Sequence, residues 1–271
     1  MAVIAISRGS FAGGSAVARA VSERLGHPCL SREDVLARAA NDYGIQEQEL
    51  RRTLNESPAF WQQMPGKRLA YVKCLTAVLL DQARDGNLIY HGHVGHLLLA
   101  GVAHALRVRV VADLEYRVRA AMTQADLTRE KAVAHIRQVD EERSRWARLL
   151  YGVEWHDPTQ YHLTLNLGQV GVASACEVIV RMSEMQEFKP TAESRRHFED
   201  LRLAARVWAA LAKDPLTRSA GLQVVAQEGD VLITGSVGSA KAIDLIPRIA
   251  STVEGVKQVR SEAGQGADWY W

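Results

Sequence analysis

The stretch AVIAISRGSFAGGSAVARAV, residues 2–21, decides the fold of the N-terminal part of this chain. It begins with a short apolar run rich in Val and Ile, which predicts a buried strand over 2–7. After a segment rich in Gly and Ser, apolar side chains recur at helical spacing and predict a helix over 15–25. A Gly-rich loop between a strand and a helix presents backbone N–H groups and the positive end of the helix dipole to an anion. The stretch therefore predicts a phosphate-binding loop.

The residues expected to bind phosphate in this loop are Arg8, Gly9, Ser10, Gly13, Gly14 and Ser15. A full P-loop, G-x-x-x-x-G-K-[ST], also supplies a Lys for the β- and γ-phosphates and a hydroxyl for Mg²⁺. Here Gly14 or Ser15 stands at the Lys position, depending on the alignment, so the Lys is absent. We expect the Arg8 guanidinium to replace part of the missing charge, because it can contact phosphate oxygens in bidentate fashion. The alternative is that Gly13 and Gly14 only make a tight turn.

Strand and helix patterns alternate along the rest of the N-terminal region. Strands are predicted at 87–90, 106–112 and 161–167, and helices at 31–42, 46–55, 67–84, 114–124, 128–151 and 173–186. Such alternation implies right-handed crossovers and a parallel sheet with helices on both faces. The expected fold class is therefore α/β.

The composition changes at Phe188-Lys189-Pro190-Thr191, where a polar stretch with Pro interrupts the helical pattern. We therefore predict one domain over 1–187, a second over 188–262 and a tail over 263–271. The second domain is expected to be a small α+β unit with a helix at 193–212, a hairpin over 221–235, a helix at 239–253 and a strand at 256–260. The aromatic end of the tail docks either on its own domain or on a partner.

The bulk composition narrows the class of protein. With 271 residues, 47% of them hydrophobic, and a formal net charge of +2, the chain can bury a core and has no strong field for nonspecific nucleic-acid binding. Cys29, Cys74 and Cys176 lie far apart, which fits reduced thiols better than a disulfide framework. No signal peptide or transmembrane segment is expected. We therefore expect a cytoplasmic protein without a nucleic-acid partner.

Five segments of the N-terminal region carry a more specific pattern. They are Ile4-Ala5-Ile6-Ser7-Arg8 with Gly13-Gly14, Tyr90 to His96, Val108 to Asp113 with Arg117-Val118-Arg119, Ile136 to Pro158, and Tyr161 to Asn166. In order and spacing they resemble the cytidylate kinase-like family of P-loop nucleoside monophosphate kinases. The resemblance covers residues 2 to about 185 and implies a P-loop NTPase-type sheet with a helical lid. It also implies ATP and Mg²⁺ as cofactors and a nucleoside monophosphate such as CMP as the phosphoryl acceptor.

The same resemblance implies three catalytic arginines, Arg117, Arg137 and Arg143, with Arg145 and Arg148 as further candidates. Phosphoryl transfer needs positioning and neutralisation of spreading negative charge, which lid arginines supply. The alternative is a solvated helix face on which Arg137 pairs with Glu141 and Arg143 with Asp140.

Arg32, Asp34 and His93 are the candidates for binding the acceptor. Arg32 and Asp34 have an equally good explanation as helix-start charges behind a capping Ser31. His93 stands where the family usually has an Arg. Together with His91 and His96 it forms a histidine cluster, for which we expect no metal because no carboxylate or Cys lies nearby in sequence. Lining of the acceptor pocket and simple packing both remain open for these histidines.

Residues from about 193 to 262 resemble a BON domain through Gly229 to Val237 and Val253 to Val259. The resemblance implies an interaction module that binds a protein partner, with no catalytic group. Three functions follow for the whole chain. It is an ATP-dependent nucleoside monophosphate kinase, or a catalytically weak or inactive nucleotide-binding regulatory protein that acts through its BON-like module, or a scaffold. The absent Lys favours the second, whereas family relatives with the same loop favour the first.

Overall fold

The structure is a computed structural model, and it describes residues 2–50, 65–92, 94–218 and 221–266. The chain divides into two compact units. The first unit comprises Met1–Asp34 and Asp85–Pro190, and the second comprises Val35–Arg84 and Thr191–Trp271.

The first unit is built on a five-stranded parallel sheet. Its strands are β1 (Val3–Arg8), β2 (Cys29–Ser31), β3 (Ile89–Gly92), β4 (Ala105–Val111) and β5 (Leu163–Asn166), in the order β2-β3-β1-β4-β5. β1 lies in the centre, and its register pairs Ile6 with His91 on one side and with Val108 on the other. The carboxyl ends of these parallel strands therefore meet at one edge of the sheet, where the loop after β1 begins.

Helices of the first unit flank this sheet. They are α1 (Gly14–Leu25), α4 (Gly95–Leu98), α5 (Leu114–Ala125), α6 (Arg129–Tyr151) and α7 (Val172–Ser183). Between β2 and β3 the chain also forms α2 (Arg32–Tyr43) and α3 (Pro65–Gln82), and α3 and most of α2 belong to the second unit. Ile4 and Ile6 of β1 pack with Val17 of α1 and Ile179 of α7 in one buried cluster. The α/β fold predicted from the sequence is confirmed.

The long helix α6 corresponds to the predicted lid, and we call it the lid helix. Thr128 caps its first turn by accepting a hydrogen bond from the Lys131 N–H, and Gly152 ends it in the left-handed region with φ 65°. Ile136 of the lid helix packs with Val118 of α5 in a small buried cluster. The prediction of a helix over 128–151 is therefore accurate to one residue.

The second unit contains a three-stranded sheet of β6 (Leu222–Gln227), β7 (Asp230–Val237) and β8 (Gln258–Gln265), with helices α8 (Ala192–Lys213) and α9 (Ala240–Ser251). β6 and β7 form an antiparallel hairpin, and β8 pairs parallel to β7. The hairpin turn has φ 50° at Glu228 and 98° at Gly229, the two positive values of a type I′ turn. The predicted α-β-β-α-β order is confirmed.

Residues 35–84 lie between β2 and β3 in sequence but group with the C-terminal region. On α3, Ala70 joins the core of the second unit, the Lys73 ammonium stands 5.9 Å from the Trp208 ring centroid, and Asp81 pairs with Arg202 at 2.8 Å. The predicted domains 1–187 and 188–262 describe the order of sequence modules and stay a prediction. The compact units cut the chain differently, because α3 packs against α8.

The structure adds short elements to those predicted. They are β2, α4 and two 3-10 helices at Pro158–Gln160 and Gln186–Phe188. The predicted helix at 46–55 extends into residues outside the described ranges, and so does the aromatic end of the tail. Of the helices that the structure describes, none combines the length and the apolar character needed to cross a membrane.

Candidate phosphate-transfer site

The loop between β1 and α1 is shaped as an anion cradle. Gly13 precedes α1 with φ 79°, and no side chain caps the first turn of the helix. The first N–H groups of an α-helix have no partner within the helix, so they are available to an anion. A side chain at Gly13 would be strained, and its Cβ would stand 2.6 Å from Leu167 Cδ1. The glycine is thus required by the conformation of the loop.

Arg8 ends β1, and its side chain lies against Gly14. A Cβ added to Gly14 would stand 2.6 Å from the Arg8 Cβ, so only a glycine admits this packing. The Arg8 Nε is buried and has no hydrogen-bond partner among the described residues. Burial lowers the pKa of Arg8, and the nearby Glu33 and Tyr90 partly oppose that shift. A cation beside the helix N-terminus therefore has an unused donor.

Arg117 on α5 reaches the loop from a second direction. Its Nε donates to the Ser10 carbonyl oxygen at 2.7 Å, and its Nη2 donates to Asp140 Oδ2 of the lid helix at 2.6 Å. Its Cζ would be 3.5 Å from a Cβ at Gly9, so the guanidinium lies directly on the loop.

Arg143 of the lid helix reaches the loop from a third direction. Its Nη1 donates to the Arg8 carbonyl oxygen at 3.0 Å and lies 4.0 Å from Asp140 Oδ1. Burial and the neighbouring Arg8 lower its pKa to about 10, against the opposing effect of Asp140. Arg143 still carries its charge at neutral pH. Arg32 and Arg117 lower the pKa of Arg143 as Arg8 does, so several positive charges are concentrated at this point of the site.

A buried polar network centred on Trp155 lies against the Arg143 side chain. The Arg143 Cζ lies 5.8 Å from the ring centroid of Trp155, whose Nε1 donates to Ser7 Oγ at 3.2 Å. Arg109 donates to the Trp155 carbonyl oxygen and lies 4.9 Å over the same ring, and the Tyr161 hydroxyl donates to that oxygen at 2.9 Å. These contacts tie the segment after the lid helix to β1 and β4.

Two comparisons of sequence place this arrangement among known proteins. The model of the cytidylate kinase-like family matches residues 3–169, more than half of the chain. The chain belongs to the cytidylate kinase-like family. The model of the BON domain matches residues 199–263, within the second unit of this family member.

Two cytidylate kinases are similar to this member of the family. That of Ignicoccus hospitalis is 26% identical over 184 residues, 67% of this chain and 99% of that protein. That of Pyrobaculum islandicum is 23% identical over 178 residues, 66% of this chain and 90% of that protein. Among solved structures, an uncharacterized protein from Eubacterium ventriosum ATCC 27560 superposes with a TM-score of 0.54 at 15% identity, covering 69% of this chain and all of that one. This last likeness supports the fold alone.

The structure brings together most of the residues predicted for phosphate binding and catalysis. Arg8, Gly9, Ser10, Gly13 and Gly14 share the loop with Arg117 and Arg143, and Ser15 lies in the first turn of α1. Arg137 differs, because its side chain is exposed on the lid helix. The part of the structure that is described thus assigns Arg137 to the solvated face of that helix, and a role for it during lid closure stays a prediction.

Among the residues predicted to bind the acceptor, Asp34 takes part in a helix cap. The N–H and hydroxyl of Ser31 donate to Asp34 Oδ2 at 2.8 and 2.7 Å, and the Asp34 N–H donates back to Ser31 Oγ at 3.1 Å. This reciprocal cap begins α2 and engages the Asp34 carboxylate. Arg32 instead contributes its charge to the arginine cluster. His93 lies outside the described residues.

The histidines beside β3 have separate surroundings. His91 is part of β3, and burial and the nearby Arg8 lower its pKa. His96 is buried with its Nε2 3.3 Å from the Tyr161 hydroxyl, and burial with Arg107 and Arg109 lowers its pKa to about 3. In the described ranges no three His, Cys, Asp or Glu side chains are grouped as a metal site would require.

Sequence reasoning missed the supporting network under Arg143. A usable signal was Arg109, a charged residue at the centre of the apolar strand β4 that is nevertheless buried. Buried arginines need partners, and the aromatic residues at 155 and 161 supply ring faces and a carbonyl oxygen.

Proposed function

We propose that this chain is an ATP-dependent kinase that transfers a phosphoryl group to a nucleoside monophosphate such as CMP. One observation carries the proposal: Arg8, Arg117 and Arg143 come from three different elements and meet on one glycine-rich loop. Such a loop with converging arginines matches the needs of phosphoryl transfer, in which charge spreads over the equatorial oxygens. The names of the two relatives, both cytidylate kinases, support cytidylate as the acceptor.

The β- and γ-phosphates of ATP would lie on the N–H groups of the loop and of the first turn of α1. Arg8 would take over part of the role of the missing Lys, because its unpaired Nε lies beside that turn. Arg143 and Arg117 would neutralise the transferring group and exclude water from it. The acceptor phosphate would lie nearer to Arg32, with His93 as a further candidate.

The donor set at the loop fits Mg²⁺ bound together with a nucleotide. Ser10 Oγ and Asp140 Oδ1 are buried oxygens that no described residue supplies with a hydrogen bond. Mg²⁺ in such sites takes one or two protein oxygens and completes its shell with phosphates and water. When bound, the ion would neutralise charge that develops on the phosphates.

A regulatory protein that binds ATP without efficient transfer is the second candidate. It is favoured by the absent Lys and by the use of both Arg117 and Arg143 as donors to loop carbonyl oxygens. In either case we propose a cytoplasmic location and a protein partner for the BON domain, and no nucleic-acid partner, since the net charge is only +2.

The deciding experiment is calorimetry of the full chain with Mg-ATP, followed by an ADP-release assay across the common nucleoside monophosphates. Binding with ADP release that depends on CMP establishes the kinase. Binding without release for any acceptor supports the regulatory protein, and the absence of binding refutes both.

A further inference from the structure

The second unit contains a cavity of about 310 Å³ that none of the roles above uses. It is lined by the segment after α2, by one face of α3 and by the end of α8, including Tyr43, Glu49, Tyr71, Cys74, Lys213 and Arg218. No residue of the glycine-rich loop or of the arginine cluster takes part. The volume lies at the small end of the range found for ligand pockets, enough for one compact organic molecule.

Two cations are held at this cavity by backbone carbonyl oxygens. Lys213 Nζ donates to the Asp42 carbonyl oxygen at 3.2 Å and stands 5.3 Å from the Tyr43 ring centroid. Arg218 donates from Nε to the Ala212 carbonyl oxygen at 2.8 Å and from Nη2 to that of Lys213 at 3.2 Å. These bonds position both groups but use only part of their donors. No carboxylate of the described residues forms a salt bridge with either cation.

The acidic group of the cavity is already engaged. Glu49 accepts a hydrogen bond from the Tyr71 hydroxyl, and burial together with that bond raises the pKa of Tyr71. Glu49 keeps its negative charge in this bond, and the lining therefore holds two cations, Lys213 and Arg218, against one carboxylate. The balance is positive and favours an anionic ligand. An anion between them would be held by charge-assisted hydrogen bonds, which are the stronger ones in proteins.

The rest of the lining suits an uncharged body of ring size. Tyr71 is buried and Tyr43 is half-buried, and both line the cavity together with Ala70. Burial raises the pKa of Cys74 to about 12, so its thiol is protonated and behaves as a small apolar group. Lys213 and Arg218, which line the same cavity, oppose that shift.

We propose that this cavity binds a small organic anion, with its charged group between Lys213 and Arg218 and its ring-sized body beside Tyr43 and Tyr71. The site combines elements of the insertion between β2 and β3 with the end of α8. It is independent of the proposed kinase activity, because its residues take no part in that chemistry.

The test is calorimetry of the full chain with four probes that separate the two features of the ligand. Benzoate has both a ring and a charge, acetate has only the charge, benzyl alcohol has only the ring, and phenyl phosphate has a phosphate instead of a carboxylate. We expect benzoate or phenyl phosphate to bind at least about tenfold more tightly than acetate and benzyl alcohol. Which of the two binds better distinguishes a carboxylate ligand from a phosphate ligand.

Two variants assign the binding to this cavity. Lys213→Met removes one cation, and Ile45→Trp fills the space without changing charge; each is expected to weaken the tighter probe by about tenfold or more. The control Arg248→Gln, on α9 and outside the lining, should bind like the wild type. Arg143→Ala should also retain benzoate binding, so a failed kinase proposal is recognised separately.

Three outcomes overturn the proposal. They are no heat with benzoate or phenyl phosphate at about 10 mM, where millimolar complexes are still detected; equal affinity for acetate, benzoate and phenyl phosphate; and binding that neither Lys213→Met nor Ile45→Trp reduces. Thermal unfolding of each variant verifies that it is folded. Should one of them unfold, the other alone decides the assignment.

Discussion

Positive charge is concentrated at the glycine-rich loop. Arg117 and Arg143 share the Asp140 carboxylate, and Arg8 and Arg32 lower the pKa of Arg143. Placing cations this close together costs free energy, and groups with shifted pKa values are often found at functional sites. The polyphosphate that we propose as the ligand of this loop would offset the repulsion among the arginines.

The first prediction concerns Arg143→Ala. If Arg143 stabilises the transferring phosphoryl group, the variant should lose about 100-fold or more in turnover, as removal of one preorganised donor commonly does. The ADP-release assay measures it, and circular dichroism verifies folding. Arg129 is the matched control on the same helix, because it forms an exposed ion pair with Glu115 whose loss is nearly neutral. Turnover unchanged in Arg143→Ala would remove this residue from the mechanism.

The second prediction concerns Arg8→Ala, which removes the cation beside the N-terminus of α1. We expect ATP affinity to fall by about tenfold or more, the loss of one charge-assisted contact. Arg8→Lys keeps the charge but lacks the planar guanidinium, so its ATP affinity should lie between those of the wild type and Arg8→Ala. Calorimetry with Mg-ATP decides, and equal affinity in all three proteins would mean that backbone groups alone hold the phosphates.

The third prediction concerns the buried His96. Its pKa of about 3 in the folded protein lies below the usual value of about 6.5, so only the unfolded chain binds this proton in between. The stability that the neutral, buried His96 contributes is therefore complete above pH 7 and is lost as the pH falls through 6.5 toward 3. His96 should contribute up to about 1.4 kcal/mol of loss per pH unit in this window.

Urea unfolding at about pH 7, 6 and 5 measures that slope. His96→Gln should reduce the slope of stability against pH, because the variant takes up nearly one proton fewer on unfolding. His197→Gln, a change of an exposed histidine on α8, should leave the slope as in the wild type. An unchanged slope in His96→Gln would show that this histidine is accessible to protons in the folded state.

Single residues also mark the limit of prediction from the sequence. The presence of arginines in the lid helix was predictable, but which of them face the loop depends on how that helix packs against α5. The Arg143 side chain is 15% exposed, whereas Arg137 lies on the exposed face of the helix. The use of the Asp34 carboxylate in a cap was one of two interpretations, and only the distances to Ser31 distinguish them.

At the scale of elements, local signals were sufficient for most boundaries. The lid helix lies between the cap residues Thr128 and Gly152, and both residue types are typical of helix ends in a sequence. The short elements β2 and α4 were harder, because three or four residues carry too little periodicity to stand out. The hairpin of the BON domain was predictable from its alternating runs and its central glycine.

The fourth prediction tests that hairpin turn. Gly229 has φ 98°, and a Cβ there would stand 2.8 Å from Lys257 Cγ, so Gly229→Ala should lower the free energy of unfolding by about 1–3 kcal/mol. Gly264→Ala is the control, since nothing lies within 4 Å of its added Cβ, and its effect should stay below about 0.5 kcal/mol. Urea unfolding compares the two, and equal losses would mean that the turn tolerates a side chain.

At the scale of the whole molecule, the order of modules along the chain and their grouping in space differ. The family model matches residues 3–169 without interruption, yet residues 35–84 inside this match pack with the C-terminal region. The spacing of apolar residues predicts α3 but not the core against which it packs. The apolar face of a helix can pack against any apolar surface of suitable shape. The structure shows that α3 joins the core of the second unit, because Ala70, Lys73 and Asp81 contact residues that are distant in sequence.

The fifth prediction follows from this grouping and uses hydrogen exchange on the full chain. Leu211→Ala and Leu106→Ala each truncate a fully buried leucine, in the second and the first unit respectively, at a cost of about 2–5 kcal/mol. Because amides open in cooperative units, Leu211→Ala should lower the protection of α3 together with that of β7 and leave β1 protected. Leu106→Ala should do the reverse. If α3 instead follows Leu106, its stability depends on the N-terminal domain, and the boundary at residue 187 describes folding better than the compact units do.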